Sequence, residues 1–333
     1  MIRILLMMAM LTMIDPALAA YPPPTIDELR QTKPATTLKF ERVLDGGRSF
    51  TSCLVSYESH GLRLYAFVAV PRGAPSGAGF PVLVANHGTH PNPPRYGFTA
   101  QGVDSRPGDY YRSVPELYAS RGFMVVMPDY RGHNVSEGGE YAHGLLASSY
   151  YAEDVLALLG ALDSLEHADT RNIFMWGHSL GGEVTLKALL ATDRVRGASI
   201  WSTVGGSIWD QAYFYSVREG ADASHDSGAV PKEAFAKLKR ELETLGPGYD
   251  WRQSDPLRFL ARLSAPVAMH HALLDTGADY DWSRRLAAEF YALGKPYEFY
   301  TYPVSDHFLE GENRETAAER DTRFFRSLMT SVD

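Results

Sequence analysis

The run Gly177-His178-Ser179-Leu180-Gly181 constrains this chain more than any other stretch. It has the form G-x-S-x-G and lies between residues 173–176, a short apolar run that reads as a strand, and residues 182–192, which read as a helix. A serine on so tight a strand-to-helix turn has strained backbone geometry, and its neighbours must be nearly free of side chain. Gly177, Gly181 and Gly182 meet that need. The turn also lifts the hydroxyl above the carboxyl end of its strand, where clefts form in parallel sheets.

The rest of the chain supplies such a sheet. Residues 38–44, 50–57 and 62–70 alternate apolar and polar and read as antiparallel strands, the last two joined through Ser59-His60-Gly61. Further strands are expected at 82–85, 123–127, 173–176, 198–201, 267–271 and 297–302, several of them wholly apolar as buried parallel strands are. Helices alternate with them. The first is capped by Ser113 with Pro115 in its first turn and ends at Gly122; others are expected at 148–165, 182–192, 283–293 and 316–328. This pattern predicts an α/β fold: a mostly parallel central sheet with helices on both faces, antiparallel strands at the N-terminal edge, and ligands at the carboxyl ends of the strands. With 333 residues, 45% of them apolar, one large sheet absorbs the chain as a single domain.

Two segments stand apart from that frame. Arg3, the apolar run 4–14 and the small-residue site Ala17-Leu18-Ala19 have the layout of a signal peptide, so residues 1–19 are expected to be removed. The mature domain, 20–333, is then exported, periplasmic or secreted, with no stable membrane anchor after cleavage. Residues 203–263 form a small lid-like insertion between two core strands. It opens with Trp209, Tyr213, Phe214 and Tyr215 and holds an amphipathic helix that begins at Pro231, carries Phe235, Leu238, Leu242 and Leu245 on one face, and stops at Gly246. Its aromatics serve either as a cover over the cleft or as packing against the sheet.

A net charge of −8 gives no electrostatic reason for a nucleic-acid partner. Cys53, the single cysteine, precludes an internal disulfide and sits in an alternating strand, where a half-buried structural role is expected. The pairs His87/His90 and His270/His271 have no matching carboxylate cluster at ligand spacing, so no metal and no cofactor is expected.

A serine hydroxyl is a weak nucleophile at neutral pH and needs a base held by a third group. His307 follows the last predicted strand and would project above the same sheet edge as Ser179. Asp275, just past the strand before it, is positioned to accept the imidazole Nδ1 proton; Asp279, Asp281 and Asp306 are rivals on nearby loops. The oxyanion of an attacked carbonyl needs two N–H donors. Leu180, at the helix N-terminus, offers one, and Thr89 (or Gly88), after the strand at 82–85, offers the other.

Residues 57–308 resemble the catalytic domain of the prolyl oligopeptidase and dienelactone hydrolase branch of the α/β-hydrolase superfamily. The matching pieces are His87-Gly88, Pro128-Asp129-Tyr130-Arg131-Gly132, the turn Gly177 to Gly181, His271-Ala272-Leu273-Leu274-Asp275 with Ser283 eight residues later, and Asp306-His307. The resemblance implies a Ser179, Asp275, His307 triad and favours Asp275 over its rivals. It departs at Ala272, where the family has glycine, and at Ser179, where dienelactone hydrolases have cysteine. The roughly sixty residues between the signal and His87 are too few for a propeller of the kind that prolyl oligopeptidases carry. The expected activity is carboxylic-ester hydrolysis, with a small-molecule ester or short peptide as substrate. The alternatives are a serine peptidase or amidase with the same triad and a non-catalytic binding protein on the same fold. Arg131 is expected to brace loops through an ion pair.

Overall fold

The computed structural model describes residues 21–75, 77–89, 98–99, 102–103, 111–141, 144–221, 232–246, 248–303 and 305–330; the expected signal segment, His90 and Pro231 lie outside them. The strands are β1 (Lys39–Leu44), β2 (Phe50–Ser59), β3 (Leu62–Pro71), β4 (Phe80–Asn86), a two-stranded ribbon of β5 (Phe98–Thr99) and β6 (Gly102–Val103), β7 (Met124–Asp129), β8 (Ala168–His178), β9 (Gly197–Trp201), β10 (Val267–Ala272) and β11 (Tyr297–Tyr302). Nine of them form one sheet in the order β1-β2-β3-β7-β4-β8-β9-β10-β11. From β7 to β11 every neighbour is parallel, while β1, β2 and β3 run antiparallel at one edge, with β3 antiparallel to β7.

The central strands β7, β9 and β10 are buried on both faces, and the period-2 alternation of side chains divides the sheet between two cores. Val82, Val84, Ile173, Met175, Val267 and Met269 point into one core; Leu83, Ala85, Phe174, Trp176 and Ala268 point into the other. The first core is closed by α1 (Ile26–Leu29), α3 (Ala147–Ala161), α4 (Leu180–Ala191) and α7 (Tyr280–Ala292), through Leu29, Leu158, Val184 and Phe290. The second is closed by α2 (Val114–Ala119) and α8 (Glu312–Ser327), through Leu117, Tyr118, Phe324 and Phe325. Each such side chain contributes about 1.5–3 kcal/mol when fully buried, so the two layers carry most of the stability.

Two local signals read differently in the structure. Thr25 and Glu28 form a reciprocal capping box that starts α1, a helix absent from the periodicity reading because it is only one turn long. Ser113 makes no capping hydrogen bond to α2; its hydroxyl instead accepts from Arg314. The insertion contains α5 (Ile208–Ala221) and α6 (Lys232–Thr244), followed by two short 3-10 turns. Leu238 of α6 is buried with Leu146, Ile208 and Ala212, and Leu242, Leu245 and Trp209 pack beside them. The side chain of Phe235 lies outside the described set. Phe214 and Tyr215 turn the other way, onto Trp282 of α7. Cys53 is half-buried in β2, and that burial raises its thiol pKa.

Arg131, fully buried, anchors the N-terminal end of the described chain. Its guanidinium binds both oxygens of Asp154, takes Glu153 at 2.7 Å, and donates to the Tyr21 hydroxyl, which itself donates to Glu153. The Tyr21 ring stacks on His60 with centroids 3.9 Å apart, beside Tyr141 and Tyr150. Tyr21 thus ties the first described residues to α3 and to the β2–β3 turn.

Candidate active site

Strand β8 ends at His178 and α4 begins at Leu180, so Ser179 alone makes the turn between them. Its backbone takes φ 56°, ψ −123°, a conformation that costs a non-glycine residue about 1–3 kcal/mol and persists only where the surroundings fix it. Here they do. The Ser179 N–H donates to Trp201 O at 3.0 Å, and its carbonyl accepts from Gly182 and Val204, also at 3.0 Å. A Cβ on Gly181 would lie 2.0 Å from Asn86 O, and one on Gly177 would lie 2.4 Å from Gly181 O, so the turn closes only with glycine at both.

The loop after β11 carries His307. Its Nδ1 lies 2.9 Å from each oxygen of Asp275, which follows β10. The Asp275 carboxylate also accepts N–H bonds from Gly277 at 2.6 Å and Ala278 at 3.0 Å, and His271 Nε2 approaches it at 3.2 Å. Burial alone would raise its pKa, but the hydrogen bonds from His271 and His307, with their charge, outweigh burial and hold the carboxyl well below its ordinary range. It is therefore an anion at neutral pH. The His307 ring lies directly over Gly277, where a Cβ would stand 2.6 Å from Cγ.

The rival aspartates have other partners. Asp279 caps α7 by accepting from Asp281 N–H, Asp281 pairs with Arg284 and Arg285, and Asp306 accepts from the N–H groups of Phe308 and Glu310.

The loop after β4 lies against the turn at Ser179: a Cβ on Gly88 would be 2.7 Å from Ser179 Cβ. The Gly88 N–H donates to the Tyr111 hydroxyl at 2.9 Å. Of the two oxyanion donors considered on this loop, Gly88 is thus already engaged, which leaves Thr89, an exposed residue. Leu180 is the first residue of α4, where the N–H has no carbonyl partner within the helix. His87 stacks on Tyr130 with centroids 4.3 Å apart, and His270 binds the Tyr302 hydroxyl at 2.7 Å.

Sequence reasoning missed three participants. His271 Nδ1 accepts from Ser283 at 2.7 Å, which orients the ring whose Nε2 meets Asp275. The signal was the spacing His271, Asp275, Ser283, used there only as a resemblance. Tyr111 and His178 bridge the Gly88 and His307 loops, and nothing in the sequence marked either.

The strand order and the turn at Ser179 can now be set beside known proteins. A family model described as the alpha/beta hydrolase fold matches residues 97–221. The chain has the α/β-hydrolase fold. The proteins it is similar to include both peptidases and esterases. YtmA of Bacillus subtilis, described as an uncharacterized peptidase, is 24% identical over 282 residues, 84% of this chain and 94% of that protein. Among solved structures, the acylaminoacyl peptidase of Pyrococcus horikoshii superposes with a TM-score of 0.64 at 20% identity over 86% of this chain and 43% of its own. The chain therefore spans less than half of that peptidase. Acetyl xylan esterase 1 of Thermoanaerobacterium sp. superposes with a TM-score of 0.59 at 16% identity, covering 92% of this chain and 91% of the esterase.

Proposed function

We propose that this protein is a serine hydrolase acting on carboxylic esters, with Ser179 as nucleophile, His307 as general base and Asp275 as the carboxylate that orients it. The observation that carries the reading is the clamp of both Asp275 oxygens on His307 Nδ1, with four donors around that anion. The clamp fixes the Nδ1–H tautomer, so the ring nitrogen free to take a proton is Nε2. In the first half-reaction His307 Nε2 takes the Ser179 proton as Oγ attacks the ester carbonyl. The N–H groups of Leu180 and Thr89 stabilise the oxyanion, and the alkoxide leaves with the proton from His307. In the second, water loses a proton to His307 and attacks the acyl group, and Ser179 regains its proton as the acid departs. A buried anion beside His307 stabilises the imidazolium in both.

Whole-length superposition on an esterase supports the ester reading. A peptidase or amidase using the same residues is the second reading, favoured by the match to YtmA over 94% of that protein. We further propose that the mature domain works after export and that the 203–263 insertion lines the approach to Ser179; Phe214 and Tyr215, packed on Trp282, support this.

The test treats the mature protein and its Ser179→Ala variant with a fluorophosphonate probe and with short-chain p-nitrophenyl esters. Labelling should vanish in the variant, and kcat should fall by about 10⁴-fold or more with an unchanged circular dichroism spectrum. A folded wild type that neither labels nor turns over would overturn the reading in favour of a non-catalytic binding protein. Comparison of ester with anilide substrates of the same acyl group separates esterase from amidase.

A further inference from the structure

A continuous hydrogen-bonded path joins three loops that the proposed chemistry needs in register. The Gly88 N–H donates to the Tyr111 hydroxyl at 2.9 Å, the hydroxyl lies 2.7 Å from His178 Nδ1, and His178 Nε2 lies 2.8 Å from the backbone carbonyl of His307. Tyr111 and His178 are both buried, at 6% and 1% exposure, so water does not compete for these bonds.

The direction of every bond follows from the last acceptor. A carbonyl only accepts, so in the neutral imidazole Nε2 carries the hydrogen and Nδ1 offers its lone pair. The Tyr111 O–H must then donate to Nδ1, and its oxygen accepts from Gly88. The His178 ring is held neutral: burial, then the neighbouring His307 charge, push its pKa well below the ordinary histidine value. The rings of His178 and His307 are 4.5 Å apart, and Phe308 packs on His178 at 4.7 Å, which seats the whole loop behind the base.

We propose that Tyr111 and His178 are positioning residues for the hydrolase chemistry described above, forming a wire that sets the oxyanion loop at Gly88 and Thr89 and the base loop at His307 in fixed relation across Ser179. The wire touches neither substrate nor reacting atoms. It acts by holding Thr89 and His307, the two groups that must meet one substrate carbonyl from different loops. The inference rests on the serine hydrolase reading, and its test is built to separate the two.

Wild type is first labelled with a fluorophosphonate, which decides the hydrolase reading alone. The wire is then cut at the bond between Tyr111 and His178 from either side. Tyr111→Phe removes that donor and with it the acceptor of the Gly88 N–H, and His178→Gln keeps an amide N–H for the His307 carbonyl while losing the acceptor for Tyr111. Each should lower kcat for a p-nitrophenyl ester by about 10- to 100-fold with KM within about 2-fold, because the loss is one of alignment. The double variant should be no worse than the poorer single one, since both remove the same bond. His178→Asn, which keeps the acceptor but abandons the His307 carbonyl, should be less active than His178→Gln. Independently of any variant, the ¹⁵N spectrum of histidine-labelled wild type should show His178 neutral, protonated at Nε2 and bare at Nδ1. Losses that multiply in the double variant, kcat within 2-fold of wild type in both single variants, or an Nδ1-protonated His178 would overturn the proposal. A wild type that fails to label sinks the hydrolase reading and the wire's catalytic role with it, while the ¹⁵N spectrum still reports whether the wire exists.

Discussion

Asp275 and Asp129 are both buried carboxylates near the carboxyl ends of parallel strands, yet they stand in opposite states. Asp275 follows β10 and collects Gly277 N–H, Ala278 N–H, His271 and His307. Asp129 closes β7 with no exposed surface; Asn134 donates to its Oδ2 at 3.2 Å, and among the described residues Oδ1 has no hydrogen-bond donor. Burial pushes the Asp129 carboxyl up to about 7, only partly opposed by Asn134, whereas the donors around Asp275 reverse the same burial penalty. Depth does not decide the charge of a buried acid. The number of N–H groups turned toward it does.

Replacement of Asp275 should break the contrast most completely. Asp275→Asn keeps the shape, but it removes the anion and presents an amide that no longer fixes the His307 tautomer, so kcat should fall by about 10³- to 10⁴-fold. Stability follows the sign of the shift. A carboxyl held low in the folded state stabilises the protein above its unfolded value and loses that stabilisation as the pH falls through the folded one. The variant should therefore melt below wild type at pH 7, with the gap closing in acid below about pH 4. An unchanged kcat in a folded variant would remove Asp275 from the mechanism.

Asp129→Asn should act in the opposite sense. A carboxyl raised to about 7 weakens the folded state as the pH rises from its unfolded value through 7. The penalty at pH 8 amounts to roughly 4 kcal/mol. Urea titrations should show wild type losing stability between pH 5 and pH 8, and the variant losing much less. Equal slopes in the two proteins would show that Asp129 is ionised as easily as a surface acid.

The smallest effect belongs to Asn134→Gly. Asn134 sits at φ 49°, which glycine adopts without strain, so the substitution removes the amide that donates to Asp129 at no backbone cost. It should cost about 1 kcal/mol more at pH 8 than at pH 5 by the same urea measurement. A loss independent of pH would trace to the turn itself.

Much of this arrangement was legible in the sequence, and the reason is periodicity. Strands such as 82–85 and 267–271 announce themselves because burial on both faces demands unbroken apolar runs, and the serine turn announces itself because only glycine fits beside it. Strand β8 begins at Ala168, ahead of its apolar stretch, since pairing with β4 extends beyond the residues that need to be buried. What stayed hidden was set by contacts distant in sequence. Tyr111 meets His178 across 67 residues, and Arg131 meets Tyr21 across 110. No local pattern encodes such a meeting. α5 escaped for a different reason: its aromatics divide between the cluster around Leu238 and Trp282, so they form no single stripe.

The knot around Arg131 has a mechanical side. Tyr21 enters it as a plug, held by a guanidinium, a carboxylate and a stacked imidazole that belong to the segment after β7, to α3 and to the β2–β3 turn. A load applied at the front of the domain would pass into the body of the sheet at that plug. Behind the plug, the Pro24 carbonyl accepts from Ser254 and Ile26 and Leu29 are buried, so the load that passes Tyr21 meets a second hold in α1.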